Sequence, residues 1–222
     1  MKHSNEKIIE VFKIYCDKSG ESSYRKNLQE PFVNSGYYFA TNSSEAIYLK
    51  KDVIALPFIK LEKPDISFLI KPDNDKYWSS KISIEKLKQG IESNRKMVEK
   101  INSVENKCNE CEGTGETECH CCGSEIECED CRGSGKINQY IPTGQMVVDS
   151  EQIFNLNGKL FFIARLKNLI RACKILGISE VILHNNPNNN KQIFIELDEL
   201  TIMIMPTFKD DLSKFKDLTQ GV

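Results

Sequence analysis

Residues 108–135 read CNECEGTGETECHCCGSEIECEDCRGSG and hold seven of the chain's nine cysteines. Cys108 and Cys111 form one CxxC pair and Cys128 and Cys131 another, with sixteen residues between the pairs, a spacing that reads as a four-cysteine zinc site. Two residues between cysteines let both sulfurs bind one ion while the intervening backbone amides turn toward them and offset their negative charge. Each pair runs into the same tail, Cys111-Glu-Gly113-Thr-Gly115 and Cys131-Arg-Gly133-Ser-Gly135. Glycines so placed suit a knuckle that needs positive φ and close backbone approach to sulfur. The expected cofactor is Zn2+, at least one per chain, on Cys108, Cys111, Cys128 and Cys131. Cys119, Cys121 and Cys122, with His120 among them, read either as a second metal site or as redox thiols. A disulfide framework and rubredoxin-like iron compete for the same ligands.

The repeats CxxCxGTG and CxxCxGSG closely resemble the cysteine-rich zinc domain of DnaJ-type co-chaperones over about residues 106–137. Members of that family carry further CxxCxGxG repeats between the outer ones, for a second zinc. Here the middle has shrunk to Cys119-His120-Cys121-Cys122-Gly123. The J-domain's His-Pro-Asp is absent, since the three histidines are followed by Ser4, Cys121 and Asn185. The resemblance therefore implies a zinc-stapled arm, without stimulation of an ATP-driven chaperone.

Charge discriminates between partners for such an arm. From Glu105 to Cys131 nine acids (Glu105, Glu110, Glu112, Glu116, Glu118, Glu125, Glu127, Glu129 and Asp130) face one base, Lys107, and a tetrathiolate zinc adds negative charge. That surface repels phosphate, so a protein or basic segment is the expected partner. With a net charge of −2 over 222 residues, the whole chain is no strongly basic nucleic-acid binder, although a local patch stays open. The start, MKHSNEKIIEVF, lacks a signal-peptide apolar region, and no apolar run approaches a membrane span; the expectation is a reducing cytoplasm and no membrane partner. Cys16 and Cys173, in apolar surroundings, read as core residues.

Outward from the cysteines, Ile84, Leu87, Ile91, Val98 and Ile101 recur at three- and four-residue or seven-residue steps, which predicts an amphipathic helix over roughly 83–105 with Ser83 as N-cap and Glu85 in its first turn. A coiled-coil dimer along that stripe and packing on the body are both open. Beyond Pro142, Gln152–Leu156 reads as a strand, Asn157-Gly158 as a turn and Leu160–Leu176 as a helix stopped by Gly177. Glu180–His184 and Gln192–Leu197 read as strands joined by an Asn-rich hairpin loop, followed by Leu200–Met205. The order is β-α-β-β-β. Ile8–Tyr15 reads as a helix, with strands in PFVNSGYYFATNSSEAIYLKKDVIAL, around Val53–Leu61 and at Ile66–Ile70.

The C-terminal order, with FNLNGKLFFIARLKNLIRACKILG at its start and LTIMIMPTF at its end, resembles a half-domain of bacterial DNA sliding clamps. The N-terminal segment is similar to the clamp pattern of strand, Ala-Thr-Asp-Gly and strand, with Ala40-Thr41-Asn42-Ser43 in place of the turn. The resemblance implies an α+β fold: a DNA-clamp-like domain of two β-α-β-β-β halves, residues 1–82 and 142–222, interrupted by an inserted helix and DnaJ-type zinc arm at 83–141. It also implies oligomerisation, because a clamp ring needs several copies of a one-domain chain, and a DNA-contact face formed by Lys159, Arg165, Lys167, Arg171 and Lys174 on the exposed side of the C-terminal helix. A solvated helix face carries the same charges. Without a GxxxxGK[ST] loop, HExxH or GxSxG, no enzyme is expected, and His184 reads as structural. The functional expectation is a non-enzymatic accessory factor of DNA metabolism with a protein-binding zinc arm. A chaperone-like or thiol-exchange module and a zinc-stabilised scaffold are the alternatives.

Overall fold

The computed structural model describes residues 2–19, 25–62, 66–72, 77–185, 192–207, 215, 217 and 218. The chain divides into two compact units, Met1–Arg95 with Ser150–Val222, and Lys96–Asp149. Both are mixed or β in content, and the first carries the helices.

In the first unit, α1 spans Asn5–Ile14 behind Ser4, whose side chain accepts from the Lys7 N–H. Ile8, Val11 and Phe12 recur at helical spacing and are buried. Strands β1 (Phe32–Asn34), β2 (Tyr37–Thr41) and β3 (Glu45–Lys50) follow as an antiparallel run. The turn between β2 and β3 works without the acid and glycine of the clamp pattern. Asn42 Oδ1 accepts from the N–H groups of Ser44 at 3.1 Å and Glu45 at 2.8 Å, and Ser43 itself takes φ 75°, so a local side-chain turn stands in.

Next come β4 (Ile59–Lys60), β5 (Trp78–Ser83) and α2 (Ile84–Ser93). The predicted strands around Val53–Leu61 and at Ile66–Ile70 are corrected here: 3-10 turns occupy Lys51–Val53 and Ser67–Leu69, and only β4 pairs. Leu69 and Ile66 are instead buried in an apolar cluster with Phe32, Phe39, Phe194 and Met203, so their hydrophobicity serves to cover a sheet face. The strand that does form, β5, escaped notice because its burial is sparse.

The predicted helix over 83–105 is likewise corrected. Ser83 does cap α2, accepting from the Lys86 N–H, but the helix ends at Ser93, and Met97–Lys107 is strand β6. Val98 and Ile101 continue the helical spacing by coincidence, and with Val104 after them they are β-branched residues that favour extended backbone. Their pairing partner is the strand Lys136–Val148, far downstream and beyond any local pattern. The division of the chain accordingly falls at 95/96 and 149/150, against 82/83 and 141/142 expected, and α2 stays with the first unit.

The second unit contains β6, β7 (Glu116–Glu118), β8 (Glu125–Glu127) and β9 (Lys136–Val148). β6 pairs with β9 from Met97↔Val148 to Lys107↔Lys136, and β7 with β8. Its buried residues are Cys108, Cys111, Gly115, Cys128, Cys131 and Gly135, and no others.

Back in the first unit, β10 (Ile153–Leu156) and β11 (Lys159–Phe162) form a hairpin, α3 spans Ile163–Leu176, and β12 (Glu180–Asn185), β13 (Ile193–Leu197) and β14 (Leu200–Ile204) complete the strands among the described residues. The predicted helix start at Leu160 is corrected to Ile163. Asn157 and Gly158 adopt φ 55° and 76°, the two-residue turn that commits Lys159–Phe162 to pairing. Gly177 stops α3 in the left-handed region at φ 73°, with Ile178 N–H reaching Cys173 O at 2.9 Å. The Asn-rich loop after β12 lies outside the described residues.

One eight-stranded sheet unites these parts in the order β4-β1-β2-β3-β14-β13-β12-β5. The N-terminal run β1-β2-β3 and the C-terminal run β12-β13-β14 meet antiparallel at β3 and β14. Helix α1 packs on α3 and β2, while the Leu69 and Ile66 cluster covers the opposite face, so the central strands are buried almost throughout. Cys16 and Cys173 are buried in the unit, and burial pushes each thiol up to about 12. Among the described residues no helix is long and apolar enough to cross a membrane.

Phe39 is fully buried and packs 5.6 Å from Phe32 and 6.1 Å from Tyr48, ring centroid to centroid. Phe39→Ala is expected to lower the stability of the first unit by about 3–5 kcal/mol, measured by urea unfolding. Replacing residues 96–149 by a short Gly/Ser linker is expected to leave that unfolding cooperative, because the eight-stranded sheet draws no strand from the replaced segment.

Candidate metal centre

The four outer cysteines come together in the second unit. All four sulfurs lie within 4.8 Å of one another, Cys108 to Cys128 at 3.8 Å and Cys111 to Cys131 at 3.6 Å. A tetrahedral zinc with Zn–S bonds of about 2.3 Å requires sulfurs about 3.8 Å apart, and a disulfide requires about 2.05 Å. The donor set and its spacing are compatible with zinc.

Two chain segments twenty residues apart build this cluster with the same set of contacts. In each, the residue after the second cysteine takes positive φ, Glu112 at 50° and Arg132 at 49°. Gly113 N–H then reaches Cys108 O at 3.1 Å, and Gly133 N–H reaches Cys128 O at 3.3 Å. Gly115 N–H donates to Cys111 Sγ at 3.2 Å, and Gly135 N–H to Cys131 Sγ at 3.3 Å, partial positive charge aimed at sulfur. The two knuckles clasp one another, Cys108 N–H to Gly135 O at 2.9 Å and Cys128 N–H to Gly115 O at 2.8 Å.

Glycine is required where the knuckles meet. A Cβ on Gly115 would stand 2.3 Å from Gly133 O, and one on Gly135 would stand 2.3 Å from Gly113 O. The hydroxyls of Thr114 and Ser134, which the sequence reading passed over, close the same turns: Thr114 Oγ1 donates toward Cys111 O and Glu116 O, and Ser134 Oγ toward Cys131 O and Lys136 O. Their signal was present in the repeated Gly-Thr-Gly and Gly-Ser-Gly, as a hydroxyl shared by both tails.

Thiols packed this closely titrate as a set. Burial opposes ionisation of Cys111, yet the Gly115 and Gly113 N–H groups and the Cys131 and Cys108 thiols bring it down to about 6. At Cys128 the Cys131 N–H favours the thiolate, but burial and the sulfurs of Cys131 and Cys108 push the thiol up to about 12. The first proton leaves readily and the last is held, and a central cation removes that resistance.

The middle cysteines gather separately, with Cys119, Cys121 and Cys122 sulfurs within 4.8 Å of one another and the His120 ring outside the group. In the first unit, the five bases expected on one helix face divide. Lys167, Arg171 and Lys174 are exposed on α3. Lys159 lies in strand β11 and is partly buried, which lowers its pKa. Arg165 turns inward, donating to Met205 O, with its guanidinium 5.2 Å from the Phe162 ring centroid. Below it sits buried Glu45, whose carboxylate accepts from Asn42 and Asn168 and whose pKa is raised by burial. His184 is buried, with Nδ1 2.8 Å from Ser79 Oγ and Nε2 2.8 Å from Glu196 Oε1.

No protein-family model matches the chain, and no curated protein matches it. In structure the chain is similar to bacterial sliding clamps. DNA polymerase III subunit beta from Borrelia burgdorferi aligns at 14% identity over 92% of this chain and 62% of that one, with a TM-score of 0.46. The sliding clamp of Bacillus subtilis gives 13%, 92%, 62% and 0.46, and the beta clamp of Helicobacter pylori, solved with a DNA ligase peptide, 13%, 91%, 62% and 0.43. The chain spans less than two thirds of the length of these proteins.

Gly135→Ala is expected to force the two knuckles apart, because a methyl group cannot share space with a carbonyl oxygen at that distance. The expected readout is faster reaction of the buried thiols with a thiol reagent, while urea unfolding of the first unit is unchanged. Gly144→Ala, where a Cβ would meet nothing within 4 Å, controls for glycine replacement at positive φ.

Proposed function

We propose that this chain is a non-enzymatic zinc-binding interaction protein of the reducing cytoplasm. Zinc on Cys108, Cys111, Cys128 and Cys131 keeps the inserted unit folded as an acidic, DnaJ-type arm, and that arm binds a protein. The observation that carries the reading is that four sulfurs and two glycines are the entire buried content of residues 96–149. A segment with so little apolar core is held by the metal, whose binding supplies about 10–16 kcal/mol. A shell closed by four thiolates keeps no open position for a reacting water, so the centre organises structure.

A protein partner suits the rest of the unit. Ile101, Val104, Tyr140 and Ile141 are exposed on the β6–β9 ribbon, and a two-stranded ribbon is marginal by itself in water. The acids around the cysteines favour a basic surface on that partner and disfavour nucleic acid.

The body, on this proposal, is a clamp-like domain that serves in DNA metabolism. Of the two β-α-β-β-β halves expected, the C-terminal one has strands before its helix (β10-β11-α3-β12-β13-β14), while the N-terminal one starts at its helix (α1-β1-β2-β3) among the described residues. Lys167, Arg171 and Lys174 supply its DNA contact, since spacings of four and three residues place them on one exposed side of α3. Such contacts neutralise phosphates, release counterions and weaken with salt.

Cys108→Ser with Cys128→Ser is expected to abolish one zinc per chain, read by native mass spectrometry, and to unfold the arm while the body keeps its unfolding transition. Unchanged zinc content overturns the assignment. Lys167→Glu, Arg171→Glu and Lys174→Glu together are expected to abolish salt-sensitive duplex binding, whereas replacing residues 96–149 by a linker leaves it intact. Wild-type protein that ignores duplex DNA at low salt yet suppresses aggregation of an unfolded client through the arm would establish the chaperone-like reading instead.

A further inference from the structure

Cys119, Cys121 and Cys122 sit in the turn between β7 and β8, apart from the four-cysteine cluster. Backbone hydrogen bonds shape this turn: Cys119 N–H to Ser124 O at 2.8 Å and Gly123 N–H to Cys119 O at 2.8 Å, with Gly123 at φ 72°. The result places Cys119 Sγ 3.0 Å from Cys121 Sγ and brings Cys122 Sγ within 4.8 Å of both. Cys121 and Cys122 are exposed and Cys119 partly so.

The hairpin below is electrostatically unfavourable. Its strands are three residues long and set Glu116 opposite Glu127 and Glu118 opposite Glu125. Like charges directly across a strand pair are destabilising. The central pair, Thr117 with Ile126, gives little in return, since Ile126 is 44% exposed. Glu116, Glu118 and Glu129 line a concavity that Cys119 and Cys121 also border, so the local field draws in cations.

We propose that Cys119, Cys121 and Cys122 form a second, open site for a soft divalent cation, separate from the four-cysteine centre. Thiolate ligands select soft, thiophilic ions. Three sulfurs supply three coordination positions, and the exposed turn leaves a fourth to solvent or to a partner's side chain, so the ion exchanges where a closed four-thiolate shell retains it. Binding displaces three thiol protons to solvent for one divalent cation, so the loaded turn carries a net negative charge and the ion is held by its bonds to sulfur. A Cys119–Cys121 disulfide would consume two of the three ligands and abolish the site.

Cd(II) alone serves as the probe, added in excess to the full chain after reduction and metal removal. Native mass spectrometry and thiolate-to-cadmium charge-transfer absorbance are expected to report a second ion per chain beyond the tightly held one, and a mild chelator is expected to remove that second ion first. Cys119→Ser with Cys121→Ser and Cys122→Ser is expected to lose the labile ion and keep the tight one, whose retention shows that the inserted unit still folds. The site is overturned if wild-type protein takes up one ion only, if both ions resist the chelator equally, or if the triple variant still takes up two. Failure of the four-cysteine assignment appears separately, in the Cys108→Ser and Cys128→Ser variant.

Discussion

The antiparallel joint between β3 and β14 is the contact on which the body depends. Tyr48, Ile47, Ala46 and Glu45 pair with Thr201, Ile202, Met203 and Ile204, joining strands from opposite sides of the inserted unit. Remove that joint and the sheet falls into two partial sheets, each with an exposed edge. Loop-closure entropy grows slowly with the length of the intervening chain, so the joint tolerates an insertion of this size provided the inserted residues take no strand from the sheet. They take none, because β6 to β9 pair only with one another.

Different physics holds the two units. The body buries aromatic and branched side chains on both sides of one sheet, the usual solution for a chain with enough apolar surface. Residues 96–149 leave their large apolar side chains exposed, and their organisation is local and repeated: a CxxC, a positive-φ residue, a glycine turn closed by a hydroxyl, and an N–H on sulfur, made twice and clasped. Two carbonyl-to-glycine approaches set the distance between the copies, and that distance sets the separation of the sulfurs.

Charge is distributed along the same division. Acidic side chains crowd the cysteine segment, where cations and basic surfaces are favoured. The body spends one of its bases internally, since Arg165 donates to the Met205 carbonyl within the field of buried Glu45, while Lys167, Arg171 and Lys174 stay in water. Sequence periodicity placed these bases on one helix face, yet it could not distinguish the one that packing draws inward, because an arginine at the first turn of α3 meets the end of β14 only once the sheet is assembled.

Local chemistry determined what the sequence by itself could determine. The CxxC spacing and its glycine tails named the four sulfurs that meet, because two residues between cysteines and a positive-φ turn confine the geometry within a few residues. Ser83 and Gly177 marked helix ends for the same reason, as capping is decided by one side chain or one φ. Tertiary structure decided what depends on partners distant in the chain. Val98 and Ile101 continued a helical spacing but became strand once residues 142–147 lay alongside. Ile66 and Leu69 looked like strand residues and became the cover of a sheet face. The order in which β1 to β3 and β12 to β14 join was likewise unreadable, because the hydrogen bonds of a sheet are made by backbone groups common to every residue, and only packing selects which of them meet.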